Sequence, residues 1–118
     1  MRKKIIIKPL SVNQVWQGRR FKTKAYKNYE EEVLCLLKGC EKTSGFIEVN
    51  YKLYLKYFST SDIGNFEKPL SDILVKSGII DDDRFIKRIV MEKFKSDKDY
   101  IELEITKIEE LNELLNKL

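Results

Sequence analysis

Between Gly45 and Phe58 the chain alternates. Ile47, Val49, Tyr51, Leu53, Leu55 and Tyr57 are separated by Glu48, Asn50, Lys52, Tyr54 and Lys56. A period of two over this length predicts a β-strand with one buried and one wet face. Downstream the period changes. Phe66, Leu70, Ile73 and Leu74 share one face of a helix predicted over about 65–76, with Ser77-Gly78 as its stop. Pro69 has no backbone N–H to donate, so it belongs in the first turn of that helix. An earlier helix is predicted from about 23 to 38. There Tyr26, Tyr29, Val33, Leu36, Leu37 and Cys40 recur at helical spacing, and Gly39 ends the pattern.

The remaining segments are shorter. Lys3 to Lys8 reads as an apolar strand stopped by Pro9. Ser11 to Lys22 reads as a loop or hairpin around Gln17-Gly18, with Trp16, Arg19, Arg20 and Phe21 at its tip. Two further strands are predicted at about 85–94 and 100–107, joined by the polar turn Ser96-Asp97-Lys98-Asp99. Residues 109–118 form an amphipathic tail helix with Leu111, Leu114, Leu115 and Leu118 on one side. The order β-α-β-α-β-β plus a tail helix predicts an α+β fold, a mixed β-sheet with helices packed on it. At 118 residues it fits a single domain over 1–118.

Composition narrows the chemistry. The chain is 42% hydrophobic and 36% charged, a balance that folds rather than stays disordered. It has no histidine, which excludes Ser-His-Asp and Cys-His catalysis and Cys2His2 zinc sites. Its two cysteines, Cys35 and Cys40, match no zinc or CxxC spacing, and a reducing cytoplasm is the expected compartment. No secretory pattern is seen: basic Met1–Lys4 is followed by only three isoleucines before Lys8. No apolar run is long enough to predict a membrane span.

Charge is uneven. The net charge is +4, yet residues 1–28 hold nine bases and no acid, namely Arg2, Lys3, Lys4, Lys8, Arg19, Arg20, Lys22, Lys24 and Lys27. The other ninety residues carry fourteen bases against nineteen acids. A basic segment of this kind suits a polyanion, through release of counterions from phosphates; it would equally serve as a solvated face.

The acids gather around the second predicted helix. Asp62 lies where a strand hands over to it, and Asp81-Asp82-Asp83 follows its end. If the flanking loops fold back along the helix, these carboxylates converge on an oxygen-only cluster of the kind that takes Mg²⁺ or Mn²⁺. Such a site hydrolyses phosphodiesters without histidine. Lys68 is placed to stabilise charge on a phosphate, or simply to pair with Asp72 at i, i+4. Three consecutive aspartates also make an ordinary solvated turn.

The run Asp62-Ile-x-Asn65-x-x-Lys68-x-x-x-Asp72-x-Leu74, followed by Gly78-Ile-Ile-x-Asp82-Asp83, resembles the RusA family of Holliday junction resolvases. So does Pro9-Leu-Ser-Val-Asn13 followed by a basic loop and a helix. The resemblance covers roughly residues 3–107. It implies a small homodimeric endonuclease, often phage- or prophage-encoded, that binds four-way DNA junctions and nicks them in symmetric pairs with Mg²⁺ or Mn²⁺. Residue by residue, it makes Asp62, Lys68 and Asp83 catalytic and Asp62, Asp82 and Asp83 metal ligands. Asp72 matches a family aspartate that could instead hold the helix. Arg19, Arg20, Lys22 and Lys24 become the candidate phosphate clamp, with Trp16 and Phe21 stacking on unpaired bases or packing in the core.

One position departs from the family pattern. The family motif reads Asp-x-Asp-Asn, and here Gly64 stands in place of the second aspartate. Either Asp81, Asp82 or Glu67 supplies the missing oxygen, or Asp62, Asp82, Asp83 and water suffice, or the chain binds junctions and cuts them weakly or not at all.

Overall fold

The structure is a computed structural model that describes residues 1–18 and 21–117. The alternating segment forms strand β4, Ile47–Leu55, and its odd positions are all buried. Strand β1 spans Arg2–Ile5, shorter than the predicted 3–8: the chain turns after Ile5 and leaves Ile6 exposed between buried Ile5 and Ile7. A one-turn 3-10 segment, Val12–Gln14, leads into a small hairpin of β2, Trp16–Gln17, and β3, Phe21–Lys22. Helix α1 runs Lys24–Leu36, started by Thr23, whose hydroxyl accepts the Tyr26 backbone N–H at 3.1 Å. Helix α2 runs Glu67–Ser77 with Pro69 in its first turn, and Gly78 ends it at φ +82°.

Strands β5, Ile86–Lys95, and β6, Tyr100–Lys107, follow, then helix α3, Glu109–Asn116. The four-stranded mixed sheet has the order β1-β6-β4-β5. Although a short turn joins β5 and β6, they do not pair with each other. β5 runs parallel to β4 and β6 antiparallel to it, one on each side. The turn crosses over the end of β4, where the Ser96 N–H donates to the Leu55 carbonyl (3.1 Å) and the Lys56 N–H donates to Asp99 (2.9 Å). The polar turn residues thus pair with the end of β4 instead of closing a hairpin.

The core joins Tyr26, Tyr29, Val33 and Leu37 of the first helical segment to Leu70, Ile73 and Leu74 of α2 and to the inward residues of β4 and β6. Burial of each such aliphatic side chain is worth about 1.5–3 kcal/mol, so this face dominates stability. The tail helix docks on its own chain. Buried Asn112 accepts the Phe46 N–H (2.9 Å) and donates to the Phe46 carbonyl (3.1 Å). The contact requires glycine next door: a Cβ on Gly45 would come 2.2 Å from the Asn112 side-chain oxygen. Leu114 stays exposed, and the side chains of Leu115 and Leu118 lie outside the described residues.

Candidate active site

Asp62 caps a short 3-10 turn, Ile63–Asn65, its Oδ1 accepting the Gly64 N–H at 3.2 Å. The loop that delivers it is fastened from below by Lys93 of β5. The Lys93 ammonium donates to the carbonyls of Phe58 (2.8 Å) and Ser61 (2.9 Å) and lies 4.4 Å from the centre of the Phe58 ring. After α2, Asp82 caps a second 3-10 turn, Asp83–Phe85, and accepts the Asp83 N–H at 2.7 Å. Its other oxygen is 3.6 Å from the Arg84 guanidinium.

The acidic triplet divides. Asp81 turns away to accept from Lys42 (2.9 Å) and from the Gly45 N–H (2.9 Å), which hold its carboxyl below the usual range. It therefore latches the 42–45 loop and is not a free donor beside Asp62. Glu67 is also engaged. It accepts from the Ser71 hydroxyl (2.9 Å), which in turn lies 2.8 Å from the buried Tyr51 hydroxyl. Burial pushes the Tyr51 phenol up, so it stays protonated in this chain.

Lys68 reaches both sides of this arrangement. Its ammonium is 2.8 Å from Asp72 and 3.8 Å from Asp83. The hydrogen bond and charge of Asp72 raise its pKa above the ordinary lysine value, with Asp83 adding to the shift. The expected i, i+4 pair with Asp72 is present, and Lys68 also approaches the triplet at Asp83. Because α2 is about 16 Å long, Asp83 reaches Lys68 in the first turn only if the loop after the helix returns along it.

The basic hairpin borders the same place. A recess of about 110 Å³ is lined by Trp16, Lys22, Tyr26, Lys68 and Asp72. Trp16 is 51% exposed and Phe21 72% exposed, so neither is a core residue. Lys22 lies 4.5 Å from the Tyr26 ring centre and 5.7 Å from that of Trp16. Lys24 is exposed at the start of α1, and Arg19 and Arg20 lie outside the described residues.

The family model described as endodeoxyribonuclease RusA matches residues 10–106. The chain belongs to the RusA family. Comparison with curated proteins returns no match. RusA membership carries junction-resolving endonuclease activity as the family's function and divalent-metal dependence as its general habit. Asp62, Asp82 and Asp83 offer the oxygen donors that Mg²⁺ or Mn²⁺ takes. As arranged they form no cage: among the described residues no three Asp, Glu or Cys side chains stand close enough to hold an ion, and Asp83 faces an ammonium instead.

Gly64 is not demanded by the backbone. A Cβ there would meet only Asp62 Oδ1 at 3.7 Å, an ordinary contact, and its φ is not positive. An aspartate at position 64 would therefore fit the backbone as it stands. Two residues near Asp62 escaped the sequence reading. Lys93 lies in β5, far along the chain, and no local pattern marks it. Tyr57 was expected to continue the buried alternation of β4, but the strand ends at Leu55 and Tyr57 is 67% exposed.

Proposed function

We propose that this chain is a structure-selective DNA endonuclease that resolves four-way junctions by paired nicks, with residues 1–118 forming one endonuclease domain that works as a homodimer. A two-fold dimer matches the symmetry of a junction and presents two sites to opposed strands. The observation that carries the reading is Lys68, which approaches Asp83 and also lines a recess bordered by Trp16 and Lys22 of the basic hairpin. Lys68 is the residue that meets the scissile phosphate. Its ammonium, charged at neutral pH like any lysine and further favoured by Asp72, is ready to donate to a phosphate oxygen as negative charge develops. Asp72 orients it from within the same helix turn. Lys22, Lys24, Arg19 and Arg20 bind flanking phosphates, and Trp16 and Phe21 stack on bases at the opened crossover.

Mg²⁺ or Mn²⁺ is the cofactor in this reading, with Asp62, Asp82 and Asp83 as the residues that would hold it. The test is a synthetic four-way junction, with linear duplex as competitor, incubated with and without Mn²⁺. Symmetric nicks that disappear in Asp83→Asn, with junction binding kept, support the proposal. No nicking across a range of divalent ions would overturn its enzymatic part.

A second reading has its own observation. Gly64 stands where the resembled motif has an aspartate, and among the described residues no three acids are gathered. On that reading the protein binds junctions without cutting them, and a large gain of nicking in Gly64→Asp over an inert parent would decide for it.

A further inference from the structure

The Val12–Gln14 turn borders a second, larger recess on the Asp62 side, with a volume of about 370 Å³. That is within the range of small-molecule pockets, about 300–1,000 Å³. Its apolar floor includes Phe66, and its walls include Lys8, Asn13, Tyr57, Asp62 and Asn65. Tyr57 is the most exposed aromatic of this group, and the Lys8 ammonium lies 5.6 Å from its ring centre. The Tyr57 carbonyl accepts from the Ser61 hydroxyl at 2.7 Å, so the ring and the Asp62 loop are joined through one short segment. Among the described residues, the side-chain amides of Asn13 and Asn65 have no hydrogen-bond partner. The backbone of Asn13 is nevertheless fixed, its N–H donating to the Ser11 hydroxyl at 3.2 Å.

We infer that this recess is a nucleobase pocket, which takes one unstacked base of the DNA beside the phosphate held at the Lys68 site. The inference rests on the DNA reading above and adds to it a site that reads sequence. An exposed tyrosine offers a π-face to any base, and two unpartnered carboxamides each offer a donor and an acceptor to a base edge. The exposed Tyr57 face and the two carboxamides suit a base, while Lys8 at the Tyr57 ring meets the attached backbone. Selectivity then comes from Asn13 and Asn65, and affinity from Tyr57.

The test uses the full chain and four-way junctions with 5-iodouracil at the crossover. Light should join that base to Tyr57, read by peptide mass spectrometry. Tyr57→Ala should weaken junction binding about 10-fold, the loss of one stacked base, and leave linear duplex binding unchanged. Tyr57→Phe should bind as wild type does. Asn13→Ala and Asn65→Ala should flatten the dependence of binding on crossover base identity. Equal loss on junction and duplex, or no loss on either, would overturn the pocket. If wild type shows no preference for junctions, the junction reading falls by itself. The pocket is then decided on a single-stranded 5-iodouracil oligonucleotide, where a Tyr57 crosslink sustains it and none sinks it.

Discussion

The carboxylate of Asp83 stands 3.8 Å from the ammonium of Lys68, although nearly all of α2 lies between them in the chain. Gly78 makes this possible. Its left-handed backbone turns the chain sharply at the end of the helix, and the buried pair Ile79-Ile80 pins the return. Thr43 reinforces it by donating its N–H to the Ile79 carbonyl at 2.8 Å.

On the proposed function Lys68 serves chemistry and contributes little to stability. Its pairs are exposed, and such pairs contribute about 0–1 kcal/mol. Lys68→Gln should therefore melt within a degree or two of wild type, yet lose roughly 100-fold or more in single-turnover junction nicking. A variant that nicks normally would remove Lys68 from the proposed machinery.

Gly64→Asp should be accommodated, since nothing but Asp62 lies near the new Cβ. It adds a fourth carboxylate to the proposed set of Asp62, Asp82 and Asp83 and should tighten Mn²⁺ binding by about 10-fold or more, measured by titration calorimetry. Unchanged Mn²⁺ affinity would show that position 64 does not face the ion.

Lys93→Met should release the Asp62 loop. Two carbonyls lose a charged donor, each hydrogen bond being worth about 1.5–3 kcal/mol. Faster amide exchange is expected over residues 58–65, with β4 and α2 protected as before. Lys93→Arg should recover part of the protection, because it keeps the charge and the donors. Exchange that rises everywhere, or nowhere, would count against a local fastening role.

Acid should loosen the 42–45 loop before the rest of the fold. The Asp81 carboxyl is lowered by the Gly45 N–H first and by Lys42 second. A carboxylate with a lowered folded pKa contributes stability that is present above its unfolded value, near pH 4, and lost as pH falls through the folded one. Asp81→Asn should thus lower the melting temperature slightly at pH 7 and flatten its decline below about pH 4. Parallel pH curves for the two proteins would refute the assignment.

Much of the architecture was legible in local pattern. The alternation in β4 marked its buried face because residues two apart in a strand must share a side. The spacing of Tyr26, Tyr29 and Val33 marked the inner face of α1, and Gly78 marked the end of α2. The run from Asp62 to Asp83 pointed to the family that residues 10–106 match. These are short-range properties, set by backbone geometry and side-chain type within a few residues.

Tertiary structure decided the rest. Sequence allowed Asp81, Asp82 and Asp83 the same role, and long-range partners separated them: Lys42 and Gly45 took Asp81, while Lys68 faced Asp83. The sequence shows that a short polar turn joins β5 and β6 but not which strand each pairs with, and both pair with β4. Tyr57 kept the strand's alternation and lost its burial where the strand stopped. In each case the outcome depends on contacts between residues far apart in the chain, and periodicity carries no information about those.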